Sequence, residues 1–238
     1  MILDFIQKYP FILAFILGLI PALIWLWFWL KEDTHPEPAK MVTLSFLGGM
    51  AAVLFVLPLQ KIIYTSIQNN EALSFTLYAA IEEILKFAFV YFIAIRNKKV
   101  TDEPVDDIIY LIISALGFVT LENTLFLIPG ITNGDFLNTI VYGNSRFLGA
   151  SLLHIMTSGI VGITIALAFF KTKKQKIYYT ISGLVIAIIL HTAFNLSIMN
   201  MPGGYLITFF FVWIGIVGLL LMFEKVKHIK VPVLDQPL

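Results

Sequence analysis

The chain of 238 residues contains no cysteine, and only 13% of it is charged. The first absence removes disulfides, palmitoylation, thiolate zinc sites, iron–sulfur clusters and cysteine nucleophiles together. Any metal must be held by His, Asp or Glu. The second absence sets the chain apart from soluble domains, which are about 25% charged and about 45–50% apolar. Here 59% of the residues are hydrophobic. An excess of one charge sign is missing too: 16 Lys and Arg face 15 Asp and Glu, a formal net charge of +1, which excludes nucleic acid as a partner attracted by general electrostatics. No HExxH and no GxSG occurs, and no aspartate stands inside an apolar segment to form an aspartyl pair. The last apolar segment has no lysine for a retinal Schiff base.

What is present is apolar sequence in long runs. Seven stretches stand out, near 11–30, 41–59, 72–95, 108–128, 147–170, 177–200 and 205–223. Each approaches the roughly 20 residues that an α-helix needs to cross a bilayer. The composition predicts an all-α, polytopic integral membrane protein of about seven transmembrane helices, forming a single domain over 1–238. The first run ends in Trp25, Trp27 and Trp29, not in a small-residue cleavage site, and so reads as an uncleaved helix with an aromatic belt.

Basic residues fall on one side of these segments. Twelve of them (Lys31, Lys40, Arg96, Lys98, Lys99, Lys171, Lys173, Lys174, Lys176, Lys225, Lys227 and Lys230) alternate with an opposite set of only Lys8, Lys61 and Arg146. Cytoplasmic loops carry the positive excess. The N-terminus is therefore expected outside and the C-terminus in the cytoplasm of a cell-membrane protein. The longest connection, 129–145, falls outside. Its Gly130, Asn133, Gly134 and Gly143 suggest a partly immersed flap, whereas its apolar residues suit an extended fifth helix; both readings are open.

Ionisable side chains inside a bilayer cost on the order of 2.5–3.5 kcal/mol each, and normally mark function or partnered packing. This chain has Glu82, Glu83, Lys86, Glu122, His154 and His191 within its segments, with Asn123, Ser158 and Asn195. Counted from the basic ends at 1.5 Å per residue, Glu83, Glu122, His154 and His191 all lie roughly 20–26 Å into a layer of about 30 Å. Four helices thus deliver ionisable groups to one level in the outer half of the membrane. Taken singly, each has a plainer reading. Glu82 and Lys86 are spaced as an internal i,i+4 ion pair, which would leave Glu83 the freer carboxylate. A lone His is often a packing residue, and Asn195, one turn after His191, could serve an interhelical hydrogen bond or an oxyanion. Small residues around Gly149, Ser151, Ser158 and Gly162 permit close helix approach.

Carboxylates and imidazoles without thiols are the groups with which hydrolases hold a metal or activate water directly. His₂Glu is one ligand set for a catalytic divalent ion such as zinc. A metal-free route, with a glutamate as general base and His or Asn at the oxyanion, uses the same residues.

At these positions the chain resembles a known family. Glu82-Glu83-Ile84-Leu85-Lys86 matches an EExxK motif, Phe118 through Glu122-Asn123 matches FxxxEN, His154 stands in a third helix, and His191 through Asn195 matches HxxxN. In that order, over about 72–200, they are similar to the PrsW family of bacterial membrane proteases, in the superfamily of the CAAX prenyl proteases. The resemblance implies a glutamate-dependent intramembrane metallopeptidase making site-1-type cuts in membrane-anchored proteins such as anti-sigma factors. It implies a catalytic Glu82-Glu83 pair with His191 and Asn195, support from Lys86, Asn123 and Ser158, and Glu122, His154 and His191 as metal ligands, Glu83 being a further candidate. The prenyl proteases have His where this chain has Glu122, so their prenylated substrates do not transfer. Analogy favours Glu82 as general base and helix spacing favours Glu83.

Two other classes compete: a proton- or cation-coupled transporter, and a catalytically silent scaffold that binds helices. A transporter would string polar residues along a path across the membrane. Here they stop at one level.

Overall fold

A computed structural model describes residues 9–200 and 204–229, except for the side chains of 136–138, 140–148, 200 and 204–205. Lys8 and Lys230 of the charge count, and the side chain of Arg146, lie outside that description. The described residues form seven α-helices and no strand: α1 (Pro10–Glu32), α2 (Ala39–Ser66), α3 (Glu71–Val90), α4 (Pro104–Thr132), α5 (Phe136–Leu167), α6 (Lys173–Asn200) and α7 (Gly204–Lys227). A π-helical turn, Tyr91–Ile95, extends α3. Each helix overlies one of the seven apolar runs, and α2, α4, α5, α6 and α7 extend several residues past theirs at one or both ends. Six are long and apolar enough to cross a membrane. The exception is α3, whose length suffices but which carries Glu71, Glu82, Glu83 and Lys86.

Boundaries follow local chemistry. At the start of α3 the Asn70 side chain accepts a hydrogen bond from Leu73 N at 3.0 Å, a side-chain N-cap. Pro104 opens α4, where Asp106 Oδ2 accepts from Glu103 N at 2.8 Å. At the other end of α4 the chain turns through Asn133, Gly134 and Asp135 alone, with Gly134 at φ +76°, the left-handed region that glycine enters without strain. Residues 136–145, one of the two readings for a flap, are therefore the first turns of α5. The long fifth helix prevails because only Gly134 breaks the backbone; Gly130 lies within α4, packed on Thr139.

The central element is α4, buried continuously from Pro104 to Thr120 and packed against α1, α2, α3, α5 and α7. Its contact with α2 is made backbone to backbone: a Cβ at Gly49 would overlap the Ser114 carbonyl, and one at Gly117 the Phe46 carbonyl. Such contacts let van der Waals packing bind helices where no hydrophobic drive exists between them. On the far side, α5 lies between α4, α6 and α7, while α3 packs on α2 and α6. Large apolar side chains such as Ile24, Trp27, Phe211 and Leu221 are exposed on α1 and α7, as a lipid-facing perimeter requires. Helices α3, α4, α5 and α6 converge on one interior region.

Candidate active site

Into that region the four helices project the residues singled out above. Glu82, Glu83 and Lys86 come from α3, Glu122 from α4, His154 from α5 and His191 from α6. All except Glu122 are buried to within 5% exposure, so their charges must be met inside the protein.

Glu83 is the hub. Its Oε1 accepts from Lys86 Nζ at 2.8 Å, Thr157 Oγ1 at 3.1 Å and His191 Nδ1 at 2.7 Å. The ion pair expected from spacing, Glu82 with Lys86, is thus replaced by an i,i+3 pair of Lys86 with Glu83. Lys86 turns this way because His154 Nδ1 lies 3.0 Å from Nζ on the same side and the Phe118 ring lies 5.3 Å from it.

Glu82 has a different environment. Its Oε1 accepts from Gln60 Nε2 of α2 at 2.7 Å, while Oε2 is buried without a hydrogen bond, 3.6 Å from His191 Nε2. The freer carboxylate is therefore Glu82, the reverse of the expectation from helix spacing.

Proton positions follow from donor chemistry. An ammonium only donates, so the Lys86 contact makes Nδ1 the accepting nitrogen of His154 and leaves Nε2–H to donate to Glu122 Oε2 at 3.2 Å. His191 donates through Nδ1–H to Glu83, which fixes its ring and leaves the Nε2 lone pair facing Glu82. The two imidazoles meet edge to face, with centroids 5.1 Å apart at 84°.

The remaining sequence candidates are less closely placed. Asn123 is buried with neither amide atom hydrogen-bonded among the described residues. Ser158 is buried beside Thr157, and Thr157 is the hydroxyl that reaches Glu83. Asn195 is half-buried one turn beyond His191 and makes no hydrogen bond with the described residues. Sequence reasoning missed Gln60 and Thr157. Gln60 follows an apolar run and lies outside the four-helix core, though an amide one residue past such a run is a usable signal. Thr157 had none, since threonines commonly bond their own helix.

A donor set for a cation exists here. One ligand atom each from Glu82, His154 and His191 lies within 4.8 Å of the others. Of the expected set Glu122, His154 and His191, the structure brings Glu82 into the triple and joins Glu122 to it through His154. The residues fit an ion in two respects: Glu82 Oε2 is a buried acceptor without a partner, and three carboxylates face one ammonium, a negative excess that a cation offsets.

An all-helical membrane protein with carboxylates and imidazoles gathered in its interior, and no thiol, defines a membrane-embedded hydrolase. Comparison narrows the class. Residues 37–222 match the model of the PrsW family of intramembrane metalloproteases, and the chain belongs to that family. It is similar to the protease PrsW of Geobacillus kaustophilus, 29% identical over 90% of this chain and 89% of that one. The protease PrsW of Bacillus subtilis is 29% identical over 84% of this chain and 90% of its own, and that of Clostridioides difficile 26% over 78% and 79%. No solved structure matches. The protein is an intramembrane protease and a multi-pass bacterial membrane protein.

Proposed function

We propose that this protease cuts a single-span, membrane-anchored protein toward the outer end of its transmembrane helix, in site-1 fashion, with an anti-sigma factor as the substrate type. The observation that carries the reading is Glu82 Oε2, a buried carboxylate oxygen with no hydrogen bond, facing a His191 nitrogen whose ring is fixed by Glu83. In this reading α3 spans the membrane as a seventh helix, the N-terminus lies outside, and the whole chain forms one domain with α3–α6 at its core.

Glu82 Oε2 takes a proton from the attacking water, and Gln60 holds the other oxygen so that Oε2 points into the cluster. Glu83 does no proton transfer; its three donors keep it ionised and make it the anchor of His191 and Lys86. The proton taken up by Glu82 Oε2 is then returned to the leaving amine, while neutral His154, accepting from Lys86 and donating to Glu122, holds those two groups in place. Asn195, one turn beyond His191, would meet the carbonyl oxygen as it gains charge. Glu82, His191 and His154 are the residues that would hold a divalent ion, zinc by preference for such ligands, with Glu82 then a ligand in place of a base and His154 giving a ring nitrogen that no longer accepts from Lys86. Such an ion supplies Lewis acidity to the peptide carbonyl and to water.

Depth on α4 and α6 supports an outer cut. By helix rise, Glu122 and His191 lie roughly 14–15 Å below the outer ends of these helices against roughly 27 Å from their basic ends, while Glu83 lies about midway along α3 with its π-turn and His154 roughly 27 Å from the outer end of α5 and roughly 20 Å from its other end. For Glu122 that is deeper than the apolar run alone suggests, because α4 continues outward past it to Thr132. Reconstituted protein with a single-span substrate tests the proposal: wild type yields a product whose new terminus maps to the outer half of the substrate helix, and Glu82→Gln yields none. Cleavage by Glu82→Gln at the wild-type rate would overturn the assignment, as would a cut in the half nearer the basic ends.

A further inference from the structure

At the basic end of the molecule a cavity of about 490 Å³ opens between the end of α3, α5 and α6. Four cations line it: Arg96 directly after the π-helical turn, Lys98 in the following loop, and Lys173 and Lys176 in the first turn of α6. None of the four has a carboxylate within ion-pair distance among the described residues. Lys98 and Lys176 lie over the Phe169 ring, at 5.2 and 5.6 Å from its centroid, and Arg96 over Phe92 at 5.5 Å. Two other lysines are matched, Lys86 to Glu83 and Lys227 to Glu224 and Glu32. The carboxylate that acts on Lys98 and Lys176 at longer range is Asp107, whose two oxygens are buried without hydrogen bonds. Four positive charges against one negative leave the cavity short of anionic charge.

Its walls are apolar. Phe87, Tyr91, Ile165, Ile177, Ile181 and Leu184 form the cleft. Tyr91, Ile177 and Ile181 are exposed on its outer side, where the bilayer would meet it. The π-turn shapes the mouth: Arg96 N bonds Tyr91 O at 3.1 Å, one residue more than an α-helical bond spans, which rotates Arg96 by roughly 100° relative to a regular helix. A free phosphate has no use for an apolar wall of this extent. An acidic peptide would set unpaired backbone groups against it, at the cost of their desolvation. An amphiphile satisfies both parts.

We propose that this cavity binds an anionic phospholipid, its phosphate held by Arg96, Lys98, Lys173 and Lys176 and an acyl chain lying in the cleft between α3 with its π-turn and α6. The same two helices carry Glu82, Glu83 and His191 further along, so an occupant here braces the helix pair on which the cluster is built.

The test uses the full chain in neutral maltoside micelles, with bound lipid counted by native mass spectrometry. Phosphatidylglycerol, phosphatidylcholine and glycerol phosphate are titrated in parallel. Phosphatidylglycerol is expected to bind far tighter than the other two. Combining Lys98→Gln, Lys173→Gln and Lys176→Gln should weaken it on the order of 100-fold, since each cation near an anionic headgroup contributes about one factor of five. A control with the same charge loss at the same end, Lys31→Gln, Lys40→Gln and Lys225→Gln, should keep wild-type affinity. Thr180→Trp, which fills the cleft and leaves every cation in place, should also abolish lipid binding and covers the case of a triple variant that fails to fold. Equal binding of the two phospholipids, equal loss in both triple variants, undiminished binding by Thr180→Trp, or glycerol phosphate binding as tightly as the lipid would each overturn the proposal.

Discussion

Neutralising the two adjacent glutamates should inactivate the enzyme equally but affect the fold in opposite ways. In Glu83→Gln the oxygen that accepts from Lys86, Thr157 and His191 loses its charge. Lys86, 1% exposed, is then left as a buried ammonium without a counter-ion. Removing one partner of a buried pair costs about 3–5 kcal/mol. For a chain of this size that lowers the unfolding midpoint on the order of 10 °C. Glu82→Gln removes a charge whose Oε2 has no hydrogen bond, and keeps an oxygen for Gln60. Its stability should stay within about 1 kcal/mol of wild type or exceed it. The assay is thermal unfolding in micelles followed by tryptophan fluorescence, after dialysis against a chelator so that no bound ion adds stability. Cleavage of a single-span substrate is measured on the same preparations. Wild-type stability in Glu83→Gln, or an equal loss in Glu82→Gln, would refute the division of labour between the two.

Further expectations are more local. Gln60→Leu should lower kcat roughly tenfold with KM little changed, because one charge-assisted hydrogen bond orienting Glu82 is lost; steady-state kinetics decide. Gly117→Ala should cost about 2 kcal/mol in the same unfolding assay, since its methyl overlaps the Phe46 backbone where α2 and α4 touch. Burial pushes the half-buried Glu37 carboxyl up to about 8, in the loop before α2, beside Tyr110, Asp106 and Asp33. The fold then holds a proton that the unfolded chain releases near the ordinary carboxylate pKa, so stability is greatest at acid pH and falls as pH rises through 8. Glu37→Gln should flatten that decline in a pH series of unfolding midpoints. Reporters fused after Lys99 and Lys176 should read cytoplasmic and one at Asn133 external; an external reading at Lys176 would invert the topology.

Much of this was legible in sequence, for identifiable reasons. Apolar runs long enough to span a bilayer locate helices well, since the bilayer enforces helical backbone. The common level of Glu83, Glu122, His154 and His191 groups them from sequence alone, because a rise of 1.5 Å per residue converts position into depth. What spacing could not supply was partnership across helices. The i,i+4 rule gave Lys86 to Glu82, and it failed because His154 on α5 and the Glu83 hub lie on the other side of Lys86. Gln60 went unread because the apolar run of α2 ends at Leu59 while the helix continues to Ser66. The sequence leaves the flap open because glycines count alike in a helix and in a turn; only the positive φ of Gly134 separates it from Gly130.

The cluster also explains why α3 alone falls short as a span. Glu82, Glu83 and Lys86 together would cost an isolated helix on the order of 8–10 kcal/mol at the centre of a bilayer. Apolar neighbours on α3 offset part of this, and the rest is met only when Thr157 and His154 of α5, His191 of α6 and Gln60 of α2 arrive as partners. On the proposal that α3 spans the membrane, its insertion and the assembly of the cluster are one event. A substitution in the cluster acts on folding as well as on chemistry, and loss of activity alone says little about a residue's role there. Stability and turnover have to be measured on the same variant. Their divergence, as between Glu82 and Glu83, identifies the group that reacts, whereas parallel loss identifies the group that holds the helices together.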